Sequence, residues 1–256
     1  MKGIIKAQIF QIKKERLLVI VFLLSLALGV ITWVNEDFAS FGEIVCDMSF
    51  IIPQISMLFL FAAIGVICGM DFSDKTANYE IMSGHTRLEV YLGRVILAVT
   101  VAVAGSLAIC LLIIGIGSMV MDWGDAVSLK GVLIRVLLLA FPMFRIACEM
   151  VFVVFIVRNA YLLLAMGFFY TFALTELFMS VAKEPASYYL GMSNICRLMN
   201  MTAFQTYNPA KPEMKIVIYD TTLQLSEIFT TIGVSLGVGF VFLLLGYRFF
   251  KTDDIG

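Results

Sequence analysis

Arg145 and Glu149 stand four residues apart in Val132–Val157, a stretch that is otherwise strongly apolar. On a helix, four residues return to the same face, so a guanidinium and a carboxylate at this spacing can neutralise each other. A lone charge at membrane depth costs at least about 2.5–3.5 kcal/mol on insertion scales, which makes pairing the expectation. Glu176 lies in the next apolar stretch, Ala160–Ala182. At 1.5 Å per residue it sits about 24 Å along its helix, and Arg145 about 18 Å from the matching end of its own. If the short turn at Arg158-Asn159 makes the two helices antiparallel neighbours, Arg145 can bridge both carboxylates. Such a network is either a static clamp between helices or a switch tied to transport, and the residues alone leave both open. Pro142, three residues before Arg145, removes a backbone donor and should kink the helix near the charges.

Little else in the chain points to catalysis. His85 is the only histidine, and with no second ligand near it in sequence it reads as a surface side chain. The five cysteines, Cys46, Cys68, Cys110, Cys148 and Cys196, show no metal-site spacing. A Gly-x-x-x-x-Gly-Lys-Ser/Thr phosphate loop and paired aspartates in facing spans are both missing from the sequence. The expectation is a protein that is not an enzyme, with no cofactor of its own.

The elements that hold these charges follow from composition. Of 256 residues, 61% are hydrophobic and only 14% charged, and the mean hydropathy is +0.98. A soluble domain carries roughly a quarter of its residues charged, so most of this surface must face lipid. A net charge of −1 excludes a broadly basic nucleic-acid binder. Apolar windows predict six transmembrane helices, near Leu17–Val34, Phe50–Met70, Val95–Met121, Val132–Val157, Ala160–Ala182 and Ile228–Phe250. The fold class expected is all-α, one polytopic transmembrane domain over residues 1–256. Lys and Arg near the span ends place both termini in the cytoplasm and the chain in the plasma membrane. Residues 1–16, with Ile4, Ile5, Ile9 and Ile12 beside Lys2, Lys6 and Lys13, read as an interfacial helix or as a basic flank that fixes topology. Residues 183–227 form a long extracytoplasmic segment punctuated by Pro185, Pro209 and Pro212, for which one or two short helices are expected, as a static cap or a gate. Gly65-xxx-Gly69 and Gly233-xxx-Gly237 predict close helix approach, within the chain rather than to a second copy.

Residues 71–94 are the longest cytoplasmic connection. Gly84 is placed to close a first short helix, and Thr86 with Glu89 three residues on forms a capping box for a second. Tyr79, Ile81 and Met82 offer apolar contact beside Lys75, Glu80, His85 and Arg87. With an N-terminal cytoplasmic helix, six spans, this elbow, the tight inner turn and the long outer segment, the chain resembles the permease of a type 2 ATP-binding-cassette (ABC) exporter, including those that export peptides or give immunity to them. In that family the elbow often reads acidic residue, Gly-Thr, a leucine-containing helix, Pro-x-Ser/Thr-Arg and Gly-Lys. Here the matching positions are Asp71 or Asp74, Lys75-Thr76, Tyr79-Glu80-Ile81-Met82, Gly84-His85-Thr86-Arg87 and Gly93-Arg94, with Lys75, Gly84 and Arg94 departing from the pattern.

The resemblance implies a coupling helix that docks on an ATPase through Asp71, Lys75, Thr76, Glu80, Met82 and Arg87, with Arg158 in a second, smaller contact. It also implies two copies of an ABC ATPase that bind ATP and Mg, a second permease as homodimer or related chain, and membrane lipid around the whole. The function expected is ATP-driven export of an amphipathic or hydrophobic substrate, a peptide foremost. The alternative is an ion-coupled secondary transporter or channel that uses Arg145, Glu149 and Glu176.

Overall fold

A computed structural model describes residues 2–34, 40–47, 51–69, 82–171, 190–208 and 211–252. Described elements run α1 (Lys2–Lys14), α2 (Arg16–Val34), α3 (Phe41–Asp47), α4 (Ile51–Ile64) continued by one π-helical turn (Gly65–Gly69), and α5 (Arg87–Val120). They continue through α6 (Leu129–Leu138), α7 (Ala140–Val157), α8 (Ala160–Phe169), α9 (Gly191–Met199), strands β1 (Thr202–Asn208) and β2 (Lys211–Asp220), and α10 (Leu225–Thr252). Four helical stretches are long and apolar enough to cross a membrane: Ile51–Gly69, Arg87–Val120, Leu129–Val157 and Leu225–Lys251. A fifth is reached if α1 and α2, bent 62° apart, count as one. The ten described residues of α8 fall short of that length, and the remainder of the expected fifth span, with Glu176, lies outside the described residues. The protein is thus mostly helical and suited to a membrane.

The expectation of an all-α chain needs one correction. The segment before the last helix holds a single described short helix, α9, followed by an antiparallel hairpin of β1 and β2 in which Thr202 pairs with Asp220 and Thr206 with Ile216. Its sequence, Thr-Ala-Phe-Gln-Thr-Tyr on one side and Lys-Ile-Val-Ile-Tyr on the other, is rich in β-branched and aromatic residues, which favour strands. A second correction concerns the elbow. Its second helix is no separate unit but the first turns of α5, which runs unbroken for 34 residues, and Tyr91 and Arg94 are buried against the bundle.

Hydrophobicity gives helices no preference for one another over lipid, so their packing rests on close contact. Here phenylalanine rings sit on glycines: Phe59 over Gly105, Phe41 over Gly117, Phe61 over Gly167 and Phe144 over Gly239. Gly65 and Gly69 pack against Ala160 at the start of α8, where a Cβ on Gly69 would lie 3.0 Å from the Ala160 Cα. That pair works within the chain as expected. Gly233 and Gly237 do not, because a Cβ on either would meet nothing within 4 Å. Gly117→Ala is therefore expected to lower folded yield, since its methyl group would overlap the Phe41 ring and overpacking costs about 1–3 kcal/mol. Gly237→Ala should be neutral. Comparing detergent-solubilised folded fractions of the two variants checks this, and equal losses would remove the distinction.

The two ends of the bundle differ in what ties them. At one end Tyr91 donates to the Leu243 carbonyl at 2.6 Å and stacks among Phe155, Tyr247 and Phe250 with ring centroids 5.2–5.8 Å away, joining α5, α7 and α10. At the other, backbone bonds from Phe41 and Gly42 to Asp122 and Trp123, and from Tyr219 to Ala126, knit α3 and the hairpin to the connection after α5.

Candidate functional site

Arg145 and Glu149 meet as their spacing requires. The Arg145 Nε donates to Glu149 Oε1 at 2.7 Å, and the two side chains are only 6% and 15% exposed. The helix that carries them is broken one turn earlier. Pro142 has no N–H to offer the Leu138 carbonyl, and α6 ends at Leu138 before α7 resumes at Ala140. Glu176 lies outside the described residues, so the bridging part of the predicted network has no description.

A groove of about 480 Å³ opens beside this pair between α7 and α8, lined by Met150, Val153, Ala165, Met166, Phe169 and Tyr170. It is almost wholly apolar except for the Tyr170 hydroxyl. Tyr170 lies within electrostatic reach of both Arg145 and Glu149 and interacts with the backbone of Met192 in the first turn of α9. The start of α9 sits at the same depth: a Cβ on Gly191 would be 2.8 Å from Ile146 Cγ1 and 3.5 Å from the Tyr170 Oη. From there α9 runs back towards the hairpin, and its last turn is held by Arg135, so this helix stands inside the bundle alongside α7.

Arg135 is the principal residue that reading the sequence passed over. Buried at 4% exposure, it donates from Nε to the Thr221 carbonyl at 3.2 Å, from Nη1 to Leu198 at 2.7 Å and Asn200 at 3.1 Å, and from Nη2 to Thr222 at 3.1 Å. Those carbonyls close α9 and the exit of the hairpin, where helix ends leave acceptors without intrahelical donors. Beside it Arg197 pairs with Glu227 at 2.8 Å. Arg135, Arg197, Asp220 and Glu227 line a polar cavity of about 240 Å³ at the hairpin end. A cation inside the apolar run from Val132 was the available signal for Arg135; nothing in the sequence joins Arg197 to Glu227.

The residues expected to couple to an ATPase divide into two groups. Asp71, Lys75, Thr76 and Glu80 lie outside the described residues. Met82 is 82% exposed, and Gly84, with φ +96°, turns the chain into α5. The capping box forms: Thr86 Oγ1 accepts from the Glu89 backbone N–H, and Glu89 accepts from the Thr86 N–H at 3.2 Å. That backbone bond, then the Thr86 hydroxyl, holds the Glu89 carboxyl below its ordinary value. His85 approaches Glu89 at 3.8 Å. Arg87 donates to the Lys251 carbonyl at 2.7 Å, so it ties α5 to the end of α10. Arg158 ends α7 in the left-handed region at φ 54°, and Asn159 caps α8 by accepting from Tyr161 and Leu162. The tight turn is thus two residues long and exposed, as the sequence reading has it.

All five cysteines are buried thiols in no disulfide, and the Cys46 Sγ contacts the Met201 sulfur at 3.6 Å. Among the described residues no cluster of His, Cys, Asp or Glu could hold a metal ion. No protein-family model matches the chain, and no curated protein is similar to it.

Proposed function

We propose that the protein is the membrane permease of an ATP-driven ABC exporter, moving an amphipathic or hydrophobic molecule, foremost a peptide, with hydrolysis supplied by a partner ATPase. The observation that carries this reading is the exposed turn at Met82–His85. It projects ahead of a box-capped helix whose first residue, Arg87, is bonded to the end of α10. A partner pressing on that turn would move α5 and α10 together, which is what a coupling element must do. The apolar groove between α7 and α8 suits an amphipathic substrate that enters from the lipid.

Arg87 is a poor target for testing this, since its substitution would also break the tie to Lys251. Met82→Asp is the cleaner variant: it places a charge in an exposed apolar contact and touches no described bond. It should leave the chain folded and inserted while reducing co-purification of an ATPase from native membranes by about tenfold, about the size of one disrupted interface anchor. A Met82→Asp chain that retains its ATPase, or a parent chain that captures none, would overturn the reading.

The buried Arg145–Glu149 pair favours a second reading, an ion-coupled transporter in which Glu149 carries a proton or cation. Substrate flux driven by an imposed proton gradient in vesicles without ATP would support it.

A further inference from the structure

The 240 Å³ cavity at the hairpin end continues inwards as a line of buried polar groups. Every fourth residue of α10 from its outer end, Glu227, Thr231, Ser235 and Gly239, lies on the side packed within the protein, and Thr231 and Ser235 are fully buried. Thr231 lines the cavity and donates to the Asn194 Oδ1 at 3.3 Å. Beyond that bond, Asn194 Nδ2, Ser193 Oγ and Ser235 Oγ are buried with no hydrogen-bond partner among the described residues. Ser193 belongs to the first turn of α9, whose Gly191 and Met192 adjoin the Tyr170 hydroxyl. Gly239, one turn beyond Ser235, packs on α7 at the ion pair itself, where a Cβ would lie 3.6 Å from the Arg145 Cα. A polar sequence therefore leads from the cavity through Thr231 and Asn194, past Ser193 and Ser235, to Tyr170 and the buried ion pair.

Two hydroxyls and an amide with no partner among the described residues are unfavourable in an apolar bundle. Buried water relieves such groups, typically making about three hydrogen bonds where polar atoms converge. We propose that α9, α10 and α7 enclose a file of water that joins the cavity at the hairpin end to the Arg145–Glu149 pair. Glu149 then exchanges protons with the aqueous phase on the hairpin side, although its carboxylate lies at membrane depth. The opposite end of the bundle is closed by the aromatic cluster around Tyr91, so access is one-sided. None of this depends on whether an ATPase drives the protein.

Single cysteines at Thr231, Ser235 and Gly237 test the path in the full chain reconstituted in phosphatidylcholine vesicles. The probe is a small methanethiosulfonate with a fixed positive charge, added to either face. The unsubstituted chain, whose cysteines are buried, sets the background. Reaction requires thiolate and water, so Thr231→Cys and Ser235→Cys should react at least about tenfold faster than Gly237→Cys, which is at the same depth but faces outwards. They should do so from the face that modifies a cysteine at exposed Gln224. Adding Asn194→Leu should slow Ser235→Cys towards the Gly237→Cys rate. A folded Ser235→Cys chain no faster than Gly237→Cys would overturn the proposal, as would an Asn194→Leu change without effect. If Ser235→Cys does not fold, Ser193→Cys on α9 decides in the same way.

Discussion

Glu149→Gln is expected to damage the protein more than Arg145→Met, and the double substitution is expected to recover much of the difference. The two side chains form one ion pair at 2.7 Å, almost out of reach of solvent. Removing one member of a buried pair costs about 3–5 kcal/mol, because the other is left charged in an apolar setting. The two members differ in what they can do next. A carboxyl deprived of its cation can take up a proton and become neutral, whereas a guanidinium cannot readily lose one. Arg145→Met therefore leaves an escape that Glu149→Gln does not. With both replaced, neither member of this pair is left charged opposite a neutral partner, and the double variant should be more stable than Glu149→Gln alone, with a coupling of about 2–3 kcal/mol. Thermal unfolding of the four proteins in one detergent measures this. Additive losses, or a Glu149→Gln chain as stable as the parent, would show that the pair contributes little. Glu176→Gln extends the cycle: excess loss in the Glu149→Gln, Glu176→Gln double variant would place the second carboxylate in the same network.

What could be read from the sequence follows the range of the interactions involved. The Arg145–Glu149 pair, the capping box at Thr86 and Glu89 and the disturbance of the helix at Pro142 are all local, set by spacing within one or two turns of helix, and each appears in the structure. Among the described residues the apolar stretches also coincide with helices, because hydropathy over about 19 residues reports the solvent directly. The failures share the opposite character. Arg135 finds its acceptors 63 to 87 residues away in sequence, and Arg197 meets Glu227 30 residues on. Nothing in spacing carries such contacts. The hairpin is not legible either, because Thr202–Tyr207 shows no apolar/polar alternation and its pairing with Lys211–Asp220 is a contact between segments. At the elbow Gly84 turns the chain into α5 as expected, whereas the helix that starts at Arg87 runs on to Val120, because hydropathy marks where the charged residues stop and carries no mark of where a helix begins; the first elbow helix lies outside the described residues.

Arg135→Met is expected to release the whole hairpin end. Four carbonyls from two segments, Leu198 and Asn200 at the close of α9 and Thr221 and Thr222 after β2, converge on one guanidinium. Hydrogen bonds to a charged donor contribute about 1.5–3 kcal/mol each, and bonds sharing one donor group are far from additive, so the combined loss should be about 3–5 kcal/mol. Arg135→Lys should recover only part of it. An ammonium offers three donors from a single point, and the planar fork that spans both segments is lost. The effect should also be local in a way that identifies its cause. α9 and the hairpin would lose their anchor to α6, while the tie from Arg87 to Lys251 and the aromatic cluster around Tyr91 stay intact at the other end. Limited proteolysis should then cut the Arg135→Met chain between Met201 and Leu223 at protease concentrations that leave the parent whole, with Arg135→Lys between them. Resistance equal to the parent would mean that the hairpin end is held by the bonds of Phe41, Gly42 and Tyr219 to the connection after α5. Arg135 would then be a passenger, not the clamp its geometry describes.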